Sequence, residues 1–174
     1  MRRAVFLDRD GVLAEAIVRD GRAYAATSLD EFRIEAAAPE QLKRLERAGF
    51  ARIVFTNQPE IGRGILSWDV LDAMHARLRA AMPLDDILVC PHGEDGVCTC
   101  RKPLPGMLLE AAARWSVSLA DSIVIGDRWR DIEAGRAAGC FNILLARSYS
   151  DCATADALVD DLASAVDAVL SRSV

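Results

Sequence analysis

The chain has 174 residues, 52% of them hydrophobic and 27% charged, a composition that predicts one globular domain over 1–174. Its net charge of −5 argues against nucleic acid and anionic membrane surfaces as partners, because both are themselves negative. No apolar run approaches the roughly 18 residues that span a bilayer, and the first apolar run is too short for a secretory signal. We therefore expect a cytoplasmic protein, and we expect it to be a monomer.

Short β-branched runs alternate with longer stretches of helical spacing along the chain. This alternation predicts right-handed βαβ units, and hence an α/β fold with a Rossmann-like parallel sheet and helices on both faces. The segment 14–38 has no clear period and is predicted to be irregular. The predicted strands are 4–7, 52–55, 86–89, 122–125 and 141–145, and the predicted helices are 39–48, 68–82, 105–115, 129–138 and 155–171.

Polar loops follow the first four predicted strands directly. They read DRDG after the first strand, TNQ after the second, a cysteine- and histidine-rich run ending in RK after the third, and GDRWRD after the fourth. Because parallel sheets place their chemistry at the carboxyl ends of the strands, we expect these four loops to converge on one edge of the sheet.

Carboxylates dominate two of these loops. Asp8 and Asp10 follow the first strand, and Asp127 and Asp131 follow the fourth. A single Asp-Gly turn at a strand end is common and needs no function. Carboxylates from two strand ends, however, would repel one another unless a cation joins them. Mg²⁺ is the cation that favours a few carboxylates together with water, so the pattern indicates a magnesium site.

The same edge offers groups that bind an anion. Thr56 supplies a hydroxyl and Lys102 a positive charge, in loops predicted to lie beside Asp8. This combination suits phosphoryl transfer, because the charge of a phosphate must be neutralised before an anionic nucleophile can approach. A carboxylate can be that nucleophile, and a second carboxyl group can protonate the leaving oxygen and then activate water.

The stretch CPHGEDGVCTC contains four soft metal ligands, Cys90, His92, Cys98 and Cys100. Three thiolates and one imidazole suit a closed tetrahedral Zn²⁺ site, which would be structural because it leaves no open position for chemistry. A Cys98–Cys100 disulfide and a chance cluster remain as alternatives, the first of them disfavoured in a reducing compartment.

Taken together, FLDRDG, TNQ, CRKP and IGDRWRD resemble the four motifs of the haloacid dehalogenase (HAD) superfamily of phosphatases, in order and spacing over nearly the whole chain. The resemblance implies that Asp8 is the nucleophile and Asp10 the general acid and base. It also implies that Thr56 and Lys102 hold the phosphoryl group.

The same resemblance implies a bound Mg²⁺. Asp8, Asp127 and the backbone carbonyl of Asp10 would be its protein ligands, and Asp131 would support the site through hydrogen bonds or water. A zinc loop just before the Arg-Lys pair resembles a branch of the superfamily with a minimal cap. We therefore expect an HAD-like fold with a minimal cap and a zinc-stabilised loop.

That branch contains the heptose 1,7-bisphosphate 7-phosphatases and the histidinol-phosphate phosphatases. The segments CRKPLPGMLLEAA and TNQPEIGRG resemble the first group, whereas the short gap between His92 and Cys98 resembles the second. The resemblance implies hydrolysis of a small phosphorylated sugar, D-glycero-D-manno-heptose 1,7-bisphosphate, at its 7-phosphate. Histidinol phosphate is the alternative substrate, and a non-catalytic zinc-bearing binding module is the alternative from a different class.

Four further residues are implied to contact the substrate. Asn57 and Gln58 would shape their loop and meet substrate hydroxyls, and Arg101 would bind the second phosphate of a bisphosphate. Arg128 would also reach the substrate, and Arg63 is a weaker candidate for the second phosphate.

Three other residues are predicted to have no role in the chemistry. His75 lies in the middle of a predicted helix and is expected to be at the surface or half-buried. Cys140 is predicted to lie in the core, and Cys152 is predicted to be exposed.

Overall fold

The computed structural model of the protein describes residues 1–94, 96–150 and 154–172. Strands and helices alternate through most of the chain. In chain order they are β1 (Ala4–Leu7), β2 (Ile17–Arg19), β3 (Arg22–Tyr24), α1 (Ala38–Arg47), β4 (Ala51–Asn57), α2 (Pro59–Gly62), α3 (Trp68–Ala81), β5 (Asp86–Cys90), α4 (Gly106–Trp115), β6 (Ile123–Gly126), α5 (Trp129–Ala138), β7 (Phe141–Leu145), β8 (Ala157–Val159) and α6 (Leu162–Ser171).

A six-stranded sheet in the order β5-β4-β1-β6-β7-β8 forms the centre of the molecule, and every pair in it is parallel. The first strand, β1, lies between β4 and β6, so that Leu7 is opposite Val54 on one side and Ile125 on the other. The direction of winding reverses at β1, and such a reversal opens a crevice at the carboxyl ends of the neighbouring strands. The predicted Rossmann-like sheet is confirmed.

Helices cover both faces of the sheet because its central strands are apolar on both sides. Along β1, Val5 and Leu7 belong to one hydrophobic core, whereas Ala4 and Phe6 belong to the other, as the alternation of a strand requires. Buried residues of α1, α3 and α6 complete the first core, and those of α4 and α5 complete the second. The two cores hold the sheet from both sides, which fixes the positions from which the polar loops emerge.

The prediction of an irregular segment over 14–38 was wrong in part, because β2 and β3 form an antiparallel hairpin there. Its turn is Asp20-Gly21, and both residues have positive φ values of 51° and 72°. A two-residue turn of this kind matches the twist of the flanking strands, and Asp-Gly is a favoured sequence for it. The signal was therefore present in the sequence, although the strands on each side are too short to show an alternating pattern.

The predicted helix over 155–171 was wrong in its first half. The segment begins with β8, which pairs in parallel with β7, and α6 starts only at Leu162. The carboxylate of Asp161 accepts a hydrogen bond from the backbone N–H of Ser164 at 2.8 Å, which caps the helix at that point. Pairing with β7 is a long-range interaction, so it overrides the helical preference of the local sequence.

Two of the three residues without a predicted role lie in described segments. Cys140 is buried, as predicted, whereas the expectation for His75 was wrong, since it is only 8% exposed. The inward-facing surface of α3 includes His75 together with Met74 and Leu78. Cys152 lies outside the described residues. Within the described part of the chain, none of the helices combines the length and the apolar character needed to cross a membrane.

Candidate active site

The carboxyl ends of β1, β4 and β6 meet at a cavity of about 250 Å³. Asp8 follows β1 directly, and its backbone N–H donates to the carbonyl of Ile125 in β6 at 3.0 Å, which holds the loop against the neighbouring strand. The cavity brings together residues that are far apart in the chain. Asp8, Asp10, Thr56, Lys102 and Asp131 are among those that line it.

Lys102 lies at the base of this cavity and is only 4% exposed. Its Nζ atom is 2.8 Å from Oδ1 of Asp8, 2.6 Å from Oδ1 of Asp131 and 3.0 Å from the carbonyl oxygen of Phe55. Burial alone would lower the pKa of Lys102, but the two carboxylates more than offset it and raise the pKa above its ordinary value. The lysine is therefore a permanent cation at the point where Asp8 faces the cavity.

A trio of buried carboxylates, Asp8, Asp127 and Asp131, can offer ligand atoms within 4.8 Å of one another. Burial, and then the charge of Asp131, raises the pKa of Asp8 well above its ordinary value, although Lys102 opposes the shift. One lysine cannot neutralise three carboxylates. The trio consequently has the chemistry of a site for a hard divalent cation, whose positive charge the carboxylate oxygens would balance.

Asp127 gives the clearest sign that the trio fits a cation. Both of its carboxylate oxygens are buried, and neither meets a donor in good hydrogen-bonding geometry among the described residues, although the Tyr149 hydroxyl is close enough to interact with the carboxylate. Burial, and then the charge of Asp131, raises the pKa of Asp127 to about 6, although the nearby Tyr149 hydroxyl opposes the shift. Buried carboxylates are almost always paired, so an ion would supply a partner in addition to Tyr149.

Gly11 is required where the first polar loop passes this carboxylate. Its φ is +90°, and a Cβ built on it would lie 2.0 Å from Oδ2 of Asp127 and 2.7 Å from the hydroxyl of Tyr149. Any side chain at this position would displace the carboxylate as well as strain the backbone. The loop after β1 can therefore approach the loop after β6 closely only because a glycine follows Asp10.

Asp10 lines the cavity, but it lies outside the carboxylate trio. Nε of the Arg9 guanidinium donates to both Asp10 oxygens, at 3.2 and 3.1 Å, and Nε2 of Gln58 donates to Oδ2 at 2.9 Å. The hydrogen bonds from Arg9 and Gln58 thus hold the Asp10 side chain in one orientation. The predicted contact of its backbone carbonyl with Mg²⁺ stays a prediction.

Asn57 and Gln58, which were both expected to contact the substrate, differ in their position relative to the cavity. Asn57 lines the cavity and also binds the backbone of Lys102, accepting from its N–H at 3.1 Å and donating to its carbonyl at 3.2 Å. Gln58 is fully buried and is not among the cavity-lining residues. Its amide instead donates to Asp10 and to Oγ1 of Thr56, so Gln58 positions these two residues from below.

Arginines form the outer rim of the cavity. The predicted Arg101 and Arg128 are both present, and the rim also contains Arg63 and Arg130. Arg101 donates to the carbonyl of His92 at 2.9 Å, and Arg128 donates to the carbonyl of Ala23 in β3. Sequence reasoning missed Arg130, although it lies in the same polar loop, GDRWRD, from which Arg128 was selected.

The β2–β3 hairpin closes one side of the cavity and was also missed. Ala23, Tyr24 and Ala25 line the cavity, and the first two extend into a neighbouring hollow of about 570 Å³. That hollow is lined in addition by Arg22, Arg128 and Arg130, so the basic surface continues outward from the buried lysine. No local sequence pattern indicates that the hairpin lines the cavity, because it reaches the cavity from a distant part of the chain.

The four predicted zinc ligands lie together next to the rim. Their ligand atoms are all within 4.8 Å of one another, with Cys90 Sγ 3.8 Å from Cys98 Sγ and 3.5 Å from His92 Nδ1, and Cys100 Sγ 3.3 Å from His92 Nδ1. In a tetrahedral zinc site the corresponding separations would be about 3.8 Å between sulfurs and about 3.5 Å between sulfur and nitrogen. The four residues therefore fit a zinc ion, and their thiols are free of disulfides.

Comparisons with known proteins agree with this arrangement. A family model described as HAD-hydrolase-like matches residues 99–169. The D-glycero-beta-D-manno-heptose-1,7-bisphosphate 7-phosphatase of Pseudomonas aeruginosa is 41% identical to the chain over 149 residues, which cover 83% of this chain and 81% of that protein. The protein of the same name from Yersinia pestis is 31% identical and covers 97% of this chain and 96% of its own.

A solved structure is similar to this one over nearly the whole chain. The crystal structure of D,D-heptose 1,7-bisphosphate phosphatase from B. bronchiseptica, complexed with magnesium and phosphate, has a TM-score of 0.84 to this structure. The two chains are 31% identical, and the match covers 98% of this chain and 99% of the other.

Proposed function

The chain belongs to the D-glycero-D-manno-heptose-1,7-bisphosphate 7-phosphatase family of HAD-like hydrolases, and we propose from this premise that it hydrolyses the 7-phosphate of that sugar bisphosphate in a Mg²⁺-dependent reaction. The observation that carries the proposal is the contact of Lys102 with both Asp8 and Asp131, beside the buried carboxylate of Asp127. A nucleophilic carboxylate is thereby placed next to a fixed cation and a candidate metal site, which is the set of groups that phosphoryl transfer requires.

In the first step, an oxygen of Asp8 forms a bond to the phosphorus atom while the bond from phosphorus to the sugar oxygen breaks. The carboxyl group of Asp10 gives its proton to the departing 7-oxygen of the sugar, which leaves as a neutral hydroxyl group. Lys102 and the hydroxyl of Thr56 bind phosphoryl oxygens. Asp8, Asp127 and the backbone carbonyl of Asp10 would hold Mg²⁺, which would supply further positive charge for the phosphoryl group.

In the second step, the carboxylate of Asp10 takes a proton from water as the water oxygen bonds to phosphorus. The bond between phosphorus and Asp8 breaks, which releases phosphate and regenerates the carboxylate. Gln58 and Arg9 hold Asp10 in place in both steps through the hydrogen bonds that they donate to it. The same carboxyl group can therefore act as acid and then as base without moving.

The arginine rim supports a bisphosphate as the substrate. Of the charged residues at the cavity mouth, Arg63, Arg101, Arg128 and Arg130 outnumber Glu60 and Glu94. A second phosphate would be attracted to this surface, whereas the ammonium group of histidinol phosphate would be repelled. The rim thus favours the heptose bisphosphate over the alternative substrate, and the complete set of carboxylates and lysine favours an enzyme over a binding module.

Zinc has a structural role in this proposal. Cys90, His92, Cys98 and Cys100 would fill all four positions of a tetrahedral ion and leave none open for catalysis. The bound ion would fix the loop that carries Arg101 and Lys102 to the cavity. We also expect the protein to act as a monomer in the cytoplasm, and the first part of this expectation can be tested by size-exclusion chromatography with light scattering.

A phosphate-release assay at saturating Mg²⁺ tests the proposal. The substrates are the α and β anomers of D-glycero-D-manno-heptose 1,7-bisphosphate, with histidinol phosphate for comparison. We expect kcat/KM to be highest for a heptose bisphosphate, and we expect Asp8→Asn to abolish turnover while the protein stays folded by circular dichroism. Preference for histidinol phosphate would contradict the substrate, and activity of Asp8→Asn would contradict the nucleophile.

A further inference from the structure

A fully buried arginine lies behind the predicted general acid. The guanidinium of Arg9 is 0% exposed, and its Nη2 atom lies 3.1 Å from Oδ1 and 3.0 Å from Oδ2 of Asp10, in addition to the contacts of Nε. The Cζ atom of the Arg9 guanidinium is 5.4 Å from the centre of the Phe32 ring. The fork of Arg9 therefore grips both carboxylate oxygens and determines the orientation of the carboxyl group.

His75 is the partner of this arginine on its other side. Nη1 of Arg9 lies 3.3 Å from Nε2 of His75, a contact between β1's loop and α3 that spans 66 positions of the chain. A guanidinium can only donate hydrogen bonds, so Nε2 must be the acceptor and cannot carry a proton. Burial, and then the charge of Arg9, lowers the pKa of His75 to about 4, which agrees with a neutral ring at neutral pH.

The three side chains thus form a continuous series of contacts that runs from α3 to the cavity. His75 accepts from Nη1 of Arg9, and Nε and Nη2 of Arg9 donate to Asp10, which lines the cavity. A buried guanidinium that loses an acceptor is left with an unsatisfied donor, and it would turn or draw in water to satisfy it. Either response would alter the direction in which Asp10 presents its carboxyl group.

We propose that His75 is a positioning residue of the phosphatase, which acts through Arg9 to aim the Asp10 carboxyl group at the leaving oxygen. The inference rests on the proposed function, since it assigns His75 to the acid–base step of that reaction. His75 is not among the residues that line the cavity and is not part of the carboxylate trio. Its effect should accordingly appear in steps that need proton transfer by Asp10 and be absent from steps that do not.

The leaving group separates these two kinds of step. A sugar alcohol needs a proton as it departs, because its alkoxide is strongly basic, whereas the p-nitrophenolate of p-nitrophenyl phosphate departs without one. The first turnover of p-nitrophenyl phosphate therefore reports nucleophilic attack by Asp8 without acid assistance. A variant with a misaimed Asp10 should be slow on the heptose bisphosphate and normal in that first turnover.

The experiment compares four variants of the full chain with the wild type, in Mg²⁺. His75→Leu removes the acceptor, His75→Gln keeps an acceptor oxygen, Met74→Leu alters the same buried surface without touching Arg9, and Asp10→Asn removes the acid itself. For His75→Leu we expect kcat on heptose 1,7-bisphosphate to fall about tenfold or more, with KM within about twofold. The pre-steady-state release of p-nitrophenol should change by less than about threefold, since that step needs no acid.

His75→Gln should recover most of the lost kcat, and Met74→Leu should behave as wild type on both substrates. If His75→Leu does not fold, His75→Asn takes its place, because its shorter amide falls short of Arg9 while that of His75→Gln can accept the bond. Two results would overturn the role of His75. One is an equal loss of activity by His75→Leu on the heptose bisphosphate and on p-nitrophenyl phosphate, and the other is equal activity of His75→Gln and His75→Leu on the heptose bisphosphate. If Asp10→Asn lost equal activity on heptose 1,7-bisphosphate and in the first turnover of p-nitrophenyl phosphate, the assignment of Asp10 as the acid would be wrong, rather than the assignment of His75 alone.

Discussion

The ammonium group of Lys102 lies 2.6 Å from Oδ1 of Asp131, closer than its 2.8 Å contact with Asp8, the proposed nucleophile. The other oxygen of Asp131 accepts a hydrogen bond from the backbone N–H of Arg128 at 3.1 Å, at the start of α5. Asp131 thereby joins the lysine to the loop that follows β6. Each oxygen of Asp131 thus already accepts one hydrogen bond, and the supporting role expected for Asp131 stays a prediction.

Replacing Lys102 by methionine should remove both turnover and stability. The variant leaves the buried carboxylates of Asp8 and Asp131 without their cation, so we expect kcat to fall by about 100-fold or more and the free energy of unfolding to fall by about 3 kcal/mol in Mg²⁺-free buffer. Phosphate release and urea denaturation measure the two effects. The matched control is Lys43→Met at the chain's other lysine, which is exposed on α1. Loss of activity in both variants would argue against a specific role for Lys102.

The pKa of Asp127 predicts an unusual pH dependence for the Mg²⁺-free protein. Since folding raises that pKa from 3.8 to about 6, the native state holds a proton between pH 4 and 6 that the unfolded chain has released. The free energy of unfolding should therefore fall as pH rises through this window, by up to roughly 1.4 kcal/mol per pH unit relative to Asp127→Asn. Added Mg²⁺ should abolish the decline, because it binds the deprotonated carboxylate.

Urea denaturation at several pH values measures this difference, with dialysis rather than a chelator used to remove Mg²⁺ so that zinc stays bound. Asp72→Asn on the exposed surface of α3 is the control, and it should follow the wild type at every pH. A difference between wild type and Asp127→Asn that does not vary with pH would contradict the raised pKa.

Replacing Cys100 by serine should release zinc from the loop. We expect the metal content to fall from about one zinc per chain to well below one, because the tetrahedral set loses a thiolate. The melting temperature should fall, and kcat/KM should fall with it, since Arg101 donates to the carbonyl of His92, a proposed zinc ligand. Cys140→Ser, outside the cluster and in the second core, should keep its zinc even if it loses stability. Unchanged zinc in Cys100→Ser would sink the assignment of that ligand.

Removing Arg101 should affect only substrates that carry a second phosphate. For Arg101→Ala we expect kcat/KM on heptose 1,7-bisphosphate to fall about 10- to 100-fold, the range for loss of a charge-assisted contact. Hydrolysis of heptose 7-phosphate, which lacks the second group, should change little. Arg114→Ala, which removes an exposed arginine of α4 away from the cavity, is the control and should leave both rates unchanged. An equal loss on the two sugars would assign Arg101 to the loop structure instead.

Much of the fold could be predicted because its signals are local. The apolar runs at 4–7 and 141–145 were predicted with the bounds that the structure has, and the alternation of strands and helices was sufficient to predict a parallel sheet. The failures occurred where pairing partners decide the structure. The hairpin over 17–24 and the strand over 157–159 are both three residues per strand, too short to show a period, and the second depends on its contact with β7.

The sequence by itself determined the chemical groups at the site and their order along the chain, since DRDG, TNQ, RK and GDRWRD each lie at or beyond the carboxyl end of a strand whose direction is set by its neighbours. Only the tertiary structure decided how these groups meet. It turned Gln58 inward to hold Asp10, buried His75 behind Arg9, and paired Lys102 with an aspartate 94 positions away. Burial and pairing over such distances arise from packing of the whole chain, and no local pattern of residues carries that information.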